Sequence, residues 1–249
     1  IPEADRGRVA QAIFTAEEYV QPGVQGPVRA FIPPSIDPLS PKNAPMMEST
    51  WRGVLMPFGV DPDRPLITQV SRFDPWKDPP GVIDAFRLVR REVPDVQLAL
   101  VGSLAHDDPE GIRYLDLTTE HAAGDPDIHL LTNLSGVGDS AVNAFQRASD
   151  VIIQKSLREG FGLVVAEGMW KWKPVVGGDV GGIRLQIEEG VTGYLVDGIG
   201  RCAERVTELL RHPEKRKEMG ELGRGRVRER FLCIREIEDT IRLISRLTA

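Results

Sequence analysis

The sequence predicts an α/β protein built on a doubly wound parallel sheet, and three observations carry that prediction. From Pro65 onward, short apolar runs alternate with segments of helical periodicity, about six times over. The runs are continuous rather than alternating, as strands covered on both faces require. Two of them lead through glycine-rich stretches directly into helices, the connection a Rossmann-like sheet uses at its ligand-binding rim.

Taken in order, Leu66–Val70 is the first strand of the series. Val82, Ile83, Phe86 and Val89 then recur at helical spacing after Pro79-Pro80, since proline suits a helix's first turn. Residues 96–101 form the next strand, stopped at Gly102, and a helix over 111–123 follows a polar stretch. Residues 128–131 are a short strand. Val142, Phe145 and Ala148 share one face of a helix that Asp139 or Ser140 would cap. A strand at 151–153 precedes a helix at Leu163–Trp170, and a strand at 174–176 precedes a short helix at 183–188. Residues 194–196 are the last strand, and 201–247 are helical with a break at His212-Pro213. The first 60 residues depart from this rhythm. Residues 12–15 and 28–32 read as strands, but Gly and Pro separate them and Pro33-Pro34, Pro38 and Pro41 follow, which is linker composition. The chain thus divides into a lead-in and linker over 1–60 and one core over 61–249. A strand-like opening without a helix partner is what a piece of a longer chain would show.

Composition narrows the function. Lys plus Arg is 31 against 37 Asp plus Glu, a net charge of −6, which opposes binding to nucleic-acid phosphates. No apolar run reaches the roughly 18 residues of a membrane span. Residues 1–6 carry neither a basic region nor an apolar core of a signal peptide. Cys202 and Cys233 lie far apart without metal-spaced neighbours and read as thiols of a cytoplasmic protein. His106 beside Asp107 and Asp108 reads as a turn rather than a metal site, so no metal and no cofactor are expected. His121, His129 and His212 read as surface or capping residues. Trp170 and Trp172 read as helix-end packing, with a stacking platform as the alternative.

In an open parallel sheet the ligand sits beyond the carboxyl ends of the strands, so the residues following each strand matter most. After the first come Arg72 and Lys77, two cations on one loop that can reach a common anion; a solvated charged loop is the alternative. After the fifth comes Arg158-Glu159-Gly160-Phe161-Gly162-Leu163, where glycine admits close backbone approach and the helix start offers unpaired N–H groups. Glu159 in the loop and Glu167 one turn into the helix would both point into one cleft, where carboxylates accept from hydroxyls. A dipole cap and a solvated helix residue are the plainer alternatives. After the sixth strand, Gly177-Gly178-Asp179-Val180-Gly181-Gly182-Ile183 is a second nest of backbone N–H groups.

Ser71-Arg72-Phe73 with Lys77, Glu159-Gly160-Phe161-Gly162 with Glu167, and Gly181-Gly182-Ile183 resemble the donor-binding half of the retaining GT-B glycosyltransferases of family 4. The Glu-x7-Glu pair is that family's hallmark. Within it, residues 33–40, 69–77, 105–111 and 142–150 are similar to the archaeal and bacterial trehalose glycosyltransferring synthases, which join nucleotide-activated glucose to free glucose. The resemblance implies that Arg72 and Lys77 hold the donor diphosphate and stabilise its growing charge without a metal. It implies that Glu159 bonds glucose hydroxyls and that backbone groups at Phe161, Gly162 and Leu163 contact sugar and phosphates. Glu167 would take the ribose hydroxyls, Gly181, Gly182 and Ile183 would line the sugar side, and the base would lie near Leu131 and Leu134. The partners implied are a nucleoside diphosphate glucose, whose base is left open between uracil, adenine, guanine and others, and a glucose acceptor held by an N-terminal domain absent from this sequence. A homodimer is left open. Asp78 stands where the family usually has glycine, adding a negative charge beside the phosphates. The family's last helix crosses back to the other domain, which implies an exposed stripe at Ile234, Ile237, Ile241 and Ile244.

Other readings are a nucleotide-sugar-binding module without catalysis, a transferase of the same family with another acceptor, and a sugar-nucleotide epimerase of the same shape. The epimerases lack the Glu-Gly-Phe-Gly and Glu-x7-Glu arrangement. A dinucleotide oxidoreductase is disfavoured, since no Gly-x-Gly-x-x-Gly follows the first strand.

Overall fold

A computed structural model of the chain describes residues 11–20, 28–104 and 107–248. Two short strands open it, β1 (Gln11–Phe14) and β2 (Val28–Phe31), paired in parallel as a small separate sheet. Helix α1 (Glu48–Leu55) follows. The main elements then alternate: β3 (Leu66–Val70), α2 (Pro79–Glu92), β4 (Gln97–Gly102), α3 (Pro109–Ala122), β5 (Ile128–Thr132), α4 (Asp139–Ala148), β6 (Val151–Gln154), α5 (Leu163–Trp170), β7 (Val175–Gly178), α6 (Ile183–Gln186) and β8 (Gly193–Val196). Three helices close the chain: α7 (Ile199–Arg211), α8 (Pro213–Arg230) and α9 (Cys233–Thr248).

The six core strands run parallel in the order β5-β4-β3-β6-β7-β8. The order reverses between β3 and β6, so the crevice a ligand would use opens past the ends of those two strands. Alternation along each strand feeds both faces. Ile67, Leu98, Leu100, Val151, Ile153 and Val176 pack with residues of α2 and α7. On the other face Leu66, Val70, Ala99 and Val101 meet α1 and α4, while Ile152 and Val175 meet α5, α6 and α8. Both faces are buried, which is why the strands read as unbroken apolar runs.

Three local expectations change. The reading of residues 1–60 as linker composition passes over α1, whose Leu55 is fully buried beside Phe145 of α4. Helix α4 is capped by neither Asp139 nor Ser140. It begins at Asp139 with extended Gly138 as its N-cap, and the Asp139 carboxylate faces Lys42 at 4.0 Å. The C-terminal region breaks twice: besides His212-Pro213, the chain turns at Phe231-Leu232, where Ile36 accepts from Cys233 N at 3.0 Å and donates to Phe231 O at 2.9 Å. His212 does cap, its ring facing Glu208 O at the end of α7. His106 lies outside the described residues. Trp170 and Trp172 sandwich the Arg224 guanidinium, at 3.7 and 3.6 Å from the ring centroids, which is packing at a helix end. On α9, Ile234, Ile237, Ile241 and Ile244 are 63, 57, 57 and 55% exposed, so the apolar stripe stands open. Among the described residues no helix is long and apolar enough to cross a membrane.

If α1 belongs to the core, Leu55→Ala should cost about 2–5 kcal/mol in urea unfolding. A loss under about 0.5 kcal/mol, the size of a surface change, would return α1 to the linker.

Candidate functional site

The loops after β3 and β6 are fixed from beneath by two buried glutamines. Gln69 donates from Nε2 to Lys77 O at 2.8 Å, and Gln154 donates from Nε2 to Ser156 Oγ at 3.2 Å. Each is 1% exposed within an apolar strand, a placement that requires a hydrogen-bonding role. Asp74 caps the 3₁₀ turn at Pro75–Lys77 by accepting from Trp76 N and Lys77 N at 2.9 and 3.1 Å. Leu157 N donates to Trp76 O at 2.7 Å, tying one loop to the other.

On this platform the Lys77 ammonium donates to Glu159 Oε2. Ser156 Oγ lies 3.4 Å from the same oxygen, and Gly160 N donates to Oε1 at 3.1 Å. Lys77 and Glu159 are 16 and 10% exposed at the side chain, whereas Arg72 is 70% exposed and sits 3.4 Å from Asp74. Of the two cations expected together, only Lys77 meets Glu159.

Glu167 is not a solvated helix residue. It is 5% exposed on α5, accepts from Gln146 Nε2 at 3.2 Å, and lies 3.7 Å from Lys42 Nζ. Each glutamate of the pair thus has its own lysine. Below Glu167, Lys171 is 2% exposed and donates to Asn43 Oδ1 at 2.8 Å and to Glu167 O at 3.2 Å. Burial pulls the Lys171 ammonium down to about 7, with the Glu167 charge opposing and Arg147 and Lys42 reinforcing the fall.

The glycines set how closely the two glycine-rich loops approach. A Cβ on Gly181 would lie 2.0 Å from Glu159 O, and one on Gly182 would lie 2.4 Å from the Phe161 Cα. Tyr19 clamps the same place, donating to Gly160 O at 2.7 Å. Gly162 takes φ +80 as the N-cap of α5, which leaves the first N–H groups of that helix facing the loop. Beside it, an open pocket of about 530 Å³ is lined in part by Glu159, Gly160, Gly181, Tyr19 and Arg184. Leu163 and Leu134 are 41 and 71% exposed. Phe161, Ile183 and Leu131 are buried, Phe161 edge-on to Phe231 at 5.7 Å and Leu131 in the core beside α4. Those three can offer main-chain groups only, and the Ile183 N–H is already spent on Val180 O.

Asp78 takes φ +50, the region where glycine is the usual residue, and caps α2 by accepting from Gly81 N at 3.1 Å. Its other oxygen accepts from Lys155, so its charge beside Lys77 is paired. Lys42, Gln146, Lys155 and Tyr19 went unread in the sequence. Gln69 carried the one usable signal, a polar residue inside an apolar strand run. No cluster of three or more metal-ligating side chains occurs among the described residues.

With this geometry in view, the family model for glycosyl transferases group 1 matches residues 57–226. The trehalose synthase of Rubrobacter xylanophilus is 53% identical over 94% of this chain and 56% of its own length. That of Thermococcus litoralis is 51% identical over 94% of this chain and 57% of its own length. Among solved structures, sucrose-phosphate synthase of Thermosynechococcus elongatus superposes with a TM-score of 0.80 at 23% identity, covering 98% of this chain and 60% of that one. Anabaena HepE, in complex with UDP and glucose, gives 0.78 at 20% identity over 95% and 63%. The chain belongs to the group 1 glycosyl transferases. It spans a little over half the length of the curated relatives it matches.

The Lys171 assignment gives a pH test. An ammonium held near 7 in the folded chain and near 10.5 when unfolded binds its proton only in the unfolded chain between those values. Stability therefore falls as pH drops from about 10 to 7 and levels off below. Relative to Lys171→Met, the native melting temperature should follow that slope. A difference independent of pH would refute the buried titration.

Proposed function

We propose that this chain binds the nucleoside diphosphate glucose donor of a retaining glucosyltransferase that passes glucose to glucose, forming trehalose. The observation that carries the proposal is the Lys77–Glu159 pair at the reversal of strand order. A lysine and a glutamate neutralising each other there present, once parted, a cation for a diphosphate and an acceptor for sugar hydroxyls. The relatedness to trehalose synthases supports glucose as acceptor, and the complex of Anabaena HepE with UDP-glucose supports a nucleotide sugar as donor.

In this reading Lys77 leaves Glu159 for the diphosphate, joined by Arg72, which has the freedom to swing inward. The N-terminus of α5 faces the same anion. As the bond from the anomeric carbon to the diphosphate breaks, charge grows on the leaving oxygen and these cations stabilise it more than the ground state. Glu159 accepts from glucose hydroxyls and orients the ring. Glu167 exchanges Lys42 for the ribose hydroxyls. The base lies toward Leu134, held by main-chain groups. Cations of the chain fill the place a metal would take, so neither metal nor cofactor is required. The acceptor is held by the part of the relatives' length outside this match. The free thiols Cys202 and Cys233 suit the reducing cytoplasm, where we place the protein.

Calorimetry should show UDP-glucose or ADP-glucose binding that survives EDTA. Lys77→Met should lose about 1.5–3 kcal/mol toward the nucleoside diphosphate and almost nothing toward the nucleoside. Binding abolished by chelation, or equal losses for both ligands, would overturn the proposal.

A further inference from the structure

Asp78 is an unexpected residue where it stands. Its φ of +50 costs any side chain more than glycine, and it adjoins the lysine that the proposed function gives to an anion. Its carboxylate is nonetheless fixed on both sides. One oxygen accepts from Gly81 N, and the other from Lys155. Gly81 makes room for this, since a Cβ there would lie 2.2 Å from Asp78 Oδ2. Lys155 is the first residue past β6, its side chain is 5% exposed, and Asp78 is the acceptor the structure gives it. A second ion pair, opposite in sense to Lys77–Glu159, therefore crosses the same strand junction.

We propose that Lys155 acts on the diphosphate site through Asp78, as a positioning residue that holds this carboxylate against the start of α2 and cancels its charge. The inference rests on the donor-binding reading above. When a diphosphate draws Lys77 away from Glu159, the carboxylate next to that lysine in the chain would otherwise repel the ligand in partly buried surroundings, where charges are weakly screened. Lys155, buried with one carboxylate, has no reason to leave it. The loop thus keeps one net positive charge from Lys77 while the ligand exchanges. A sequence carrying glycine at position 78 would have no need of the lysine, so the two positions form one unit.

Calorimetry with UDP and with uridine on the whole chain tests this. Lys155→Met should weaken UDP about tenfold, the effect of one partly screened charge, and leave uridine within about twofold. Lys155→Gln, which keeps a donor for Asp78 but no charge, should lose UDP affinity as well. The double variant Asp78→Gly with Lys155→Met removes both charges and should recover most of the UDP affinity. Full UDP affinity in Lys155→Gln, equal losses for UDP and uridine, or a double variant no better than Lys155→Met would overturn the assignment of Lys155 alone. A native chain that binds uridine no less tightly than UDP would overturn the diphosphate reading, and this inference with it.

Discussion

The structure turns on a pairing of opposite charges across the junction of β3 and β6. Lys77 rides on one loop and Glu159 on the next, and the sheet order makes those loops neighbours although 82 residues separate them. The glutamines at the strand ends, the Asp74 cap and the bond from Leu157 N to Trp76 O all serve to hold that meeting in place. A lysine and a glutamate that satisfy each other are stable in the ligand-free chain. In the proposed function they part, the lysine to a diphosphate and the carboxylate to sugar hydroxyls, each contact a hydrogen bond with an ionised partner.

The same logic recurs one turn into α5. Glu167 is nearly buried, yet Lys42 reaches it from the segment before α1 and Gln146 from α4. Lys171, Asn43, Asn143 and Arg147 extend the network, with Arg147 and Asn143 both donating to Ala44 O at 2.9 Å. The proline-rich stretch between the small sheet and α1 is thus not an idle connection. It brings a charge to the second glutamate and is itself held by the helix beside it.

Periodicity made the sheet legible because strands buried on both faces leave continuous apolar runs, and β3 and α5 fall where those runs begin and end. Helix α1 escaped because its short amphipathic segment lies among prolines and carries one fully buried side chain, Leu55. The break at Phe231-Leu232 escaped because a pairing with Ile36, almost 200 residues away in sequence, imposes it. At the site, spacing pointed to Lys77, Glu159 and Glu167, since loops after parallel strands converge by rule. It could not show that Arg72 stands apart, nor that Phe161, Leu131 and Ile183 turn into the core. Those outcomes depend on side-chain packing in three dimensions. Lys155 and Lys42 were hidden for the same reason: a lone lysine in sequence shows nothing of the carboxylate it meets.

The account stands on the exchange of partners by Lys77 and Glu159. A crystal structure of this chain with a nucleoside diphosphate glucose tests it most directly. The account predicts the Lys77 ammonium on a phosphate oxygen, Glu159 accepting from glucose hydroxyls, and the Asp78–Lys155 pair intact. A donor bound with Lys77 still on Glu159 would contradict it.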